Sequence, residues 1–255
     1  MAANLFALGV LQKWGVTGLS DAEWWGVFDA SDDLRGVCYA GSRVEHDGFG
    51  LVVPAGDEEA AHLLGVALAS RGGAGWVIGE RGPSDALWSG LGSPPARLRS
   101  DQVLFETQAL RGKDTIELRK AHDGDFGWLH AAASAMVQED LSLPWAGQSS
   151  AAFAARLRSS IREGSEYIGT HHKRLVYRAE RGTHSTYGAQ IGGIWVDPEY
   201  RSQGLGKAGT RAVSAALLGE VPRVTLHVRA DNRPAIRCYE SIGFTPIRAF
   251  RLWVR

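Results

Sequence analysis

The stretch that most restricts what this chain can fold into is Ile191-Gly192-Gly193-Ile194-Trp195-Val196-Asp197-Pro198-Glu199-Tyr200-Arg201-Ser202-Gln203-Gly204-Leu205-Gly206-Lys207-Ala208-Gly209-Thr210. It reads as a buried strand (IGGIWV), a turn holding Pro198, and a glycine-rich entry into a helix that continues through RAVSAALLG. Gly204 and Gly206 lack a Cβ, so the backbone there can turn sharply and present its N–H groups outward. Those amides open a helix, whose N-terminus carries about half a positive charge. Donors converging on a helix start bind anions, a phosphate or pyrophosphate above all. Lys207, just inside the helix, adds to the field.

Spacing narrows the ligand. GLGKAG, from Gly204 to Gly209, satisfies G-x-G-x-x-G, the dinucleotide fingerprint. That fold needs its strand to run almost directly into the first glycine, whereas DPEYRSQ intervenes here, and too few residues follow for the further βα units. A nicotinamide oxidoreductase is therefore disfavoured. The ATP-binding P-loop fails too, because Gly206-Lys207 is followed by Ala208 rather than Ser or Thr. What fits is Arg-x-x-Gly-x-Gly at Arg201, Gly204 and Gly206, after a V-x-P turn.

That pattern resembles the acetyl-CoA loop of the GNAT superfamily of N-acetyltransferases. A second segment, Asn232-x-x-Ala235-x-x-x-Tyr239-x-x-x-Gly243-Phe244 after the strand VTLHV, resembles the same family in the expected order. The resemblance covers roughly residues 115–255. It implies an α/β fold with a mixed sheet, acetyl-CoA as acyl donor and an amine as acceptor. By resemblance, the main chain of Ile194, Trp195 and Val196 takes the pantetheine arm. The segment Arg201, Ser202, Gln203, Gly204, Leu205, Gly206 and Lys207 takes the pyrophosphate, and Asn232 is a polar contact on the cofactor side. Read without the family, the apolar strand side chains are core and Asn232 is a helix cap.

Tyr239 carries two readings. A helix starting near Pro234, a residue favourable in a first turn, puts Ala235, Cys238, Tyr239 and Ile242 on the face toward the sheet, which makes Tyr239 a core aromatic. The family pattern makes it the acid that protonates the leaving thiolate, a task suited to a phenol whose pKa is about 10. Gly243 reads as a helix C-cap. Glu139, Asp140, Glu166, Glu180, His184, Gln190 and His227 all edge the expected site, and nothing in the sequence ranks them as the acceptor's base. His171-His172 lacks a partner at metal-ligand spacing, so no metal is expected. Cys238 reads as a small buried thiol rather than an acyl carrier.

The remainder sets the context. Hydrophobic residues make up 44% and charged residues 22% of 255, enough for a sizeable core. The formal net charge is +0, which gives no electrostatic reason to expect nucleic acid or an anionic membrane as partner. No apolar run approaches the ~18 residues of a spanning helix. MAANLFALGVLQKWG has no basic n-region and so does not read as a signal peptide. Cys38 and Cys238 make no disulfide framework, and a reducing cytoplasm is the expected location.

Element order gives the organisation. Residues 4–14 read as an amphipathic helix capped by Asn4. WWGVFDA, LRGVCYAG and FGLVVPAG read as strands separated by the turns SDD and EHDG. DEEAAHLLGVALAS is a helix, GWVIGE a strand, SDALWSGL a helix and QVLFETQAL a strand. After Leu110–Asp114, TIELRKA reads as a strand, FGWLHAAASAMVQED as a helix capped by Asp125, LSLPWAGQS as a loop and SAAFAARLRSSIREG as a helix. EYIGTH and RLVYRAERG form a hairpin around His172-Lys173. The same order twice implies two tandem GNAT-like units, residues 1–110 and 111–255. Where the second offers Arg201, Gly204 and Gly206, the first offers Asp57, Glu58 and Glu59, which suit a helix start but repel a pyrophosphate. Only the second unit is expected to bind the cofactor; the first is expected to be a structural partner or a wall of the acceptor site. A CoA-binding sensor that has lost turnover is the alternative to an enzyme, and the presence of Tyr239 favours the enzyme.

Overall fold

A computed structural model of the chain describes residues 2–16, 22–44, 48–141 and 150–255. Its strands are β1 (Glu23–Phe28), β2 (Leu34–Val44), β3 (Gly48–Gly56), β4 (Ala74–Glu80), β5 (Leu98–Thr107), β6 (Arg119–Lys120), β7 (Glu166–His171), β8 (Arg174–Ser185), β9 (Gly188–Val196), β10 (Val224–Arg229) and β11 (Thr245–Val254). Its helices are α1 (Leu5–Trp14), α2 (Glu58–Ala69), α3 (Arg81–Gly90), α4 (Phe126–Leu141), α5 (Ser150–Arg162), α6 (Leu205–Leu218) and α7 (Arg233–Ser241). The chain divides into two compact units. The first holds residues 1–104, 228–232 and 246–255; the second holds 105–227 and 233–245. This division is not the linear cut after residue 110, because the final strand packs with the first unit.

In the first unit the strands follow the order β1-β2-β3-β4-β11-β5. β1, β2 and β3 are antiparallel neighbours, β3 and β4 are parallel, and β11 runs antiparallel to β4 from Phe250↔Glu80 to Val254↔Trp76. Phe49, Val52, Leu64, Leu68, Val77, Leu87 and Trp88 form its core. Trp88 stacks on Trp253 of β11, ring centroids 4.9 Å apart and 5° from parallel. Arg251, also on β11, is buried with its guanidinium on Asp85 at 2.8 and 3.1 Å and on Asp101 at 2.5 Å.

In the second unit the order is β10-β9-β8-β7-β6. β9 is antiparallel to β8 and parallel to β10. The hairpin at His172-Lys173 forms as expected, both residues taking positive φ (47° and 59°). Leu129, Ala132, Leu157, Ile161, Ile168 and Leu175 build a core between α4, α5 and one sheet face, with Trp195 packed against it. On the other face Tyr177 is fully buried and its hydroxyl lies 3.4 Å from Thr210 Oγ1 of α6. A Cβ at Gly209 would come within 2.5 Å of the Tyr177 ring, so this third glycine of GLGKAG serves helix–sheet packing.

Three local expectations are corrected. Only Arg119 and Lys120 of TIELRKA enter the sheet, because Ile116 and Leu118 instead lay their side chains over bare Gly169, 3.2 and 3.1 Å from where its Cβ would be. Asp125 does not cap α4; it ends a 3-10 turn capped by His122. Its buried carboxylate accepts from the His122 N–H at 2.9 Å and from Arg119 at 2.6 and 2.7 Å, which holds it below the usual carboxylate range. Asn4 stands before α1 but gives no side-chain cap, since a 3-10 turn over Ala2–Asn4 already leads into the helix. The loop LSLPWAGQS lies outside the described residues apart from its first position, as does most of the turn EHDG.

Candidate acetyl-CoA and acceptor site

β9 departs from both neighbours at its C-terminal end. Against β10 the register runs Val224↔Ala189, Thr225↔Gln190, Leu226↔Ile191, and both strands then continue without further pairing. Against β8, Trp195 faces Arg178 and Gly192 faces Glu180, so Gly193 and Ile194 together oppose Ala179. That is a β-bulge, and Gly193 takes φ 59° within it. From Gly192 to Val196 the strand is half-buried, whereas Ala189 and Ile191 are buried. The backbone of Ile194, Trp195 and Val196 is therefore left out of the β9–β10 ladder, as a guest that hydrogen-bonds to main chain requires.

The strand feeds directly into the anion cradle. Asp197 caps a turn over Pro198–Tyr200, accepting from the Glu199 N–H at 3.0 Å. Arg174 clamps this turn through Asp197 at 2.8 Å and Glu199 at 2.5 Å. Ser202 and Gly204 then take positive φ, 61° and 82°, and Gly204 becomes the N-cap of α6. The first intrahelical bond is from Ala208 N to Gly204 O at 2.9 Å. The N–H groups of Leu205, Gly206 and Lys207 precede it and have no acceptor within the helix.

The two loop glycines have different reasons. A Cβ on Gly204 would touch nothing within 4 Å, so its positive φ alone calls for glycine. Gly206 has neither a positive φ nor a crowding neighbour, for its Cβ would meet only Val196 Cγ2 at 3.5 Å. A glycine inside a helix costs about 1 kcal/mol against alanine. What it provides at this position is close approach by a group outside the protein, so the residues fit a diphosphate.

Arg201 Nε donates to Val196 O at 3.0 Å, and its guanidinium meets Glu139 of α4 at 2.9 and 3.0 Å. Lys207 meets Asp114 at 3.2 Å. Both pairs are substantially exposed, with side-chain exposures of 44%/47% and 37%/70%. Exposed pairs contribute roughly 0–1 kcal/mol, so a diphosphate can displace either carboxylate. Gln203 binds Glu199 O at 3.1 Å and shapes the loop.

Tyr239 on α7 is buried, 7% exposed, with Phe105 and Phe244 rings 6.4 and 6.2 Å away. Burial pushes its phenol well above the usual range, and the nearby Tyr177, Cys238 and Asp140 push it further. Pro234 occupies the second position of α7, and Arg237, Glu240 and Ser241 form its exposed side. Asn232 precedes α7, its N–H bonded to Arg229 O at 3.0 Å, and belongs to the first unit.

The candidate bases separate. His184 lies near the far end of β8 and pairs with Glu220 at 3.2 Å. Glu166 is fully buried against Arg178 at 2.7 to 3.1 Å, and burial raises its pKa more than the arginine lowers it. Gln190 lies 3.4 Å from His227 Nδ1 at the point where β9 and β10 part. Burial lowers the His227 pKa to about 4, so its imidazole is neutral at physiological pH. Glu139 and Asp140 sit at the end of α4, toward Arg201 and Tyr239 respectively. Among the described residues no group of three or more His, Cys, Asp or Glu could hold a metal, and both cysteines are free.

The sequence reading missed Arg178, whose guanidinium lies 3.3 Å from where a Gly193 Cβ would stand. Paired glycines inside a strand, here Gly192-Gly193, are the signal in the sequence for such a bulge or close approach. It also missed that Pro83–Trp88 in α3 repeats the spacing of Pro234–Tyr239 in α7, with an indole where the second unit has its phenol.

The first unit begins its corresponding helix differently. Asp57 caps α2, accepting from Ala60 N at 2.8 Å, and pairs with Arg35 at 2.6 Å, so acid side chains occupy the helix start. α2 rests on α3 glycine against backbone: a Cβ on Gly65 would collide with Leu87 O, and one on Gly90 with His62 O.

The acetyltransferase (GNAT) family profile matches residues 121–244. The mycothiol acetyltransferase of a Nocardioides species is 29% identical, over 91% of this chain and 88% of its own. That of Thermobispora bispora is 28% identical over 89% and 82%. Among solved structures, a GCN5-related N-acetyltransferase from Sphaerobacter thermophilus aligns with a TM-score of 0.62 at 16% identity, covering 99% of this chain and 90% of that one. A tandem GNAT protein from the clavulanic acid biosynthesis pathway aligns at 0.55 with 13% identity, over 99% and 87%. These likenesses show a mixed α/β GNAT fold in two units.

Proposed function

Because residues 121–244 are a domain of the acetyltransferase (GNAT) family, we propose that the chain transfers an acetyl group from acetyl-CoA to a primary amine by direct attack. The observation that carries this is the edge of β9 left unpaired with β10 beyond Ile191, leading through the Asp197–Gln203 turn into the amide-lined start of α6. Acetyl-CoA, when bound, supplies an activated thioester. Ile194, Trp195 and Val196 hold its arm by main chain, and Arg201 through Lys207 hold its diphosphate. Tyr239 stays protonated throughout the physiological range and donates to the sulfur as it takes up charge. The neutral amine attacks from the side of α4 and α5. The second unit carries the reaction, and the first supports it structurally.

The relatives' name places mycothiol-type acceptors in the panel to be tested. Incubation with acetyl-CoA and a series of amines, following free thiol, decides the matter. Sustained release that depends on an amine supports the enzyme. Saturable binding without release would make the protein a CoA sensor instead.

A further inference from the structure

On the sheet face covered by α5, Glu180 of β8 and Gly192 of β9 stand directly opposite each other. Such partners project to the same side of an antiparallel pair. Irregular register flanks them on both sides, the Gly193–Ile194 bulge and a second shift between Arg181 and Thr183. Among the described residues, a Cβ at Gly192 would meet nothing within 4 Å, and no positive φ requires glycine there. The residue keeps a hollow open beside Glu180, against the free edge of β9.

Glu180 has capacity to spare. Glu166 faces it across β7, and two carboxylates so placed repel unless a cation intervenes. Arg178 intervenes unequally: it grips both oxygens of Glu166 at 2.7 to 3.1 Å and reaches Glu180 only at 3.7 Å. Buried Glu166 and Arg178 neutralise each other. Glu180, 18% exposed, is steadied from α5 by Ser160 at 3.4 Å and by Arg156 at 3.5 Å, which is itself 68% exposed. Contacts of that length are weak, and they leave a carboxylate able to take a further donor.

We propose that Glu180 receives the ammonium of the acceptor in the hollow left by Gly192, and so makes the enzyme select cationic alkylamines. The proposal rests on the acetyltransfer reading. Glu180 anchors the amine in its charged form before attack; it is not assigned as the base.

The test compares wild type, Glu180→Gln and Gly192→Leu, using acetyl-CoA with an alkylamine, charged at pH 7, and an arylamine, neutral at pH 7. Calorimetry of CoA binding runs alongside. Glu180→Gln should raise KM for the alkylamine roughly tenfold and leave kcat, arylamine KM and CoA affinity unchanged. Gly192→Leu, by filling the hollow, should raise KM for both amines without altering CoA affinity. Equal effects of Glu180→Gln on both amines, a fall in kcat at constant KM, or no effect overturns the proposal. If that variant misfolds and loses CoA, Gly192→Leu decides alone. A wild type that releases thiol with no amine sinks the acetyltransfer reading and this proposal together. Turnover indifferent to both substitutions sinks only the proposal.

Discussion

A phenol sealed from water keeps its proton, because burial penalises the charged form. For Tyr239, in the role proposed for it, this means a phenol that keeps its proton to give to the leaving sulfur. Tyr239→Phe should lower kcat roughly 10²-fold with CoA affinity intact; an unchanged kcat would remove the residue from the reaction. His227 gives a test of a different kind. Its folded pKa of about 4 lies below the unfolded value of ~6.5, so it stabilises the fold above the unfolded value. That contribution is lost as pH falls from 6.5 toward 4, while the unfolded chain takes up a proton the folded one refuses. Denaturant midpoints from pH 7 to 4 should therefore fall more steeply for wild type than for His227→Gln. At this scale the sharp turn at Gly204 and the buried helical position of Tyr239 were legible because both follow from local spacing. Arg178 was not, since it meets Gly193 only through the register of β8 on β9.

Elements of similar outline diverge at their first turns. α6 begins on a left-handed glycine with free amides, whereas α2 begins on Asp57, which consumes an amide and repels anions. Gly204→Asp should raise the Kd for CoA tenfold or more, roughly 1.4 kcal/mol, since a carboxylate enters the cradle and the left-handed backbone is strained. Asp57→Ala should leave that Kd unchanged and lower stability through the lost cap; calorimetry and urea melts read the two effects separately. The order of helices and strands was readable from periodicity, because buried faces repeat with the period of their element. The segment before Arg119 deceived that reading. Its Ile116 and Leu118 have strand-like alternation, yet they serve to cover the bare backbone of Gly169 rather than to extend the sheet.

At the scale of the molecule, the first unit depends on residues 246–255. β11 pairs with β4, Trp253 stacks on Trp88 and donates its indole N–H to Asp85 at 2.9 Å, and Arg251 joins Asp85 to Asp101. Deleting residues 246–255 should strip β4 of its antiparallel partner and unfold the first unit, read as loss of β-sheet circular dichroism and early proteolysis within residues 23–104. A sequence scan could not assign β11 to its unit, because strand pairing at that distance follows from topology rather than local pattern. The arrangement bears on how the chain is made. Domains ordinarily fold as they leave the ribosome, N-terminal part first, at about 5–20 residues per second. Here the earlier half waits, one strand short, until the chain's last residues have been translated, and the nascent first unit is exposed through that interval.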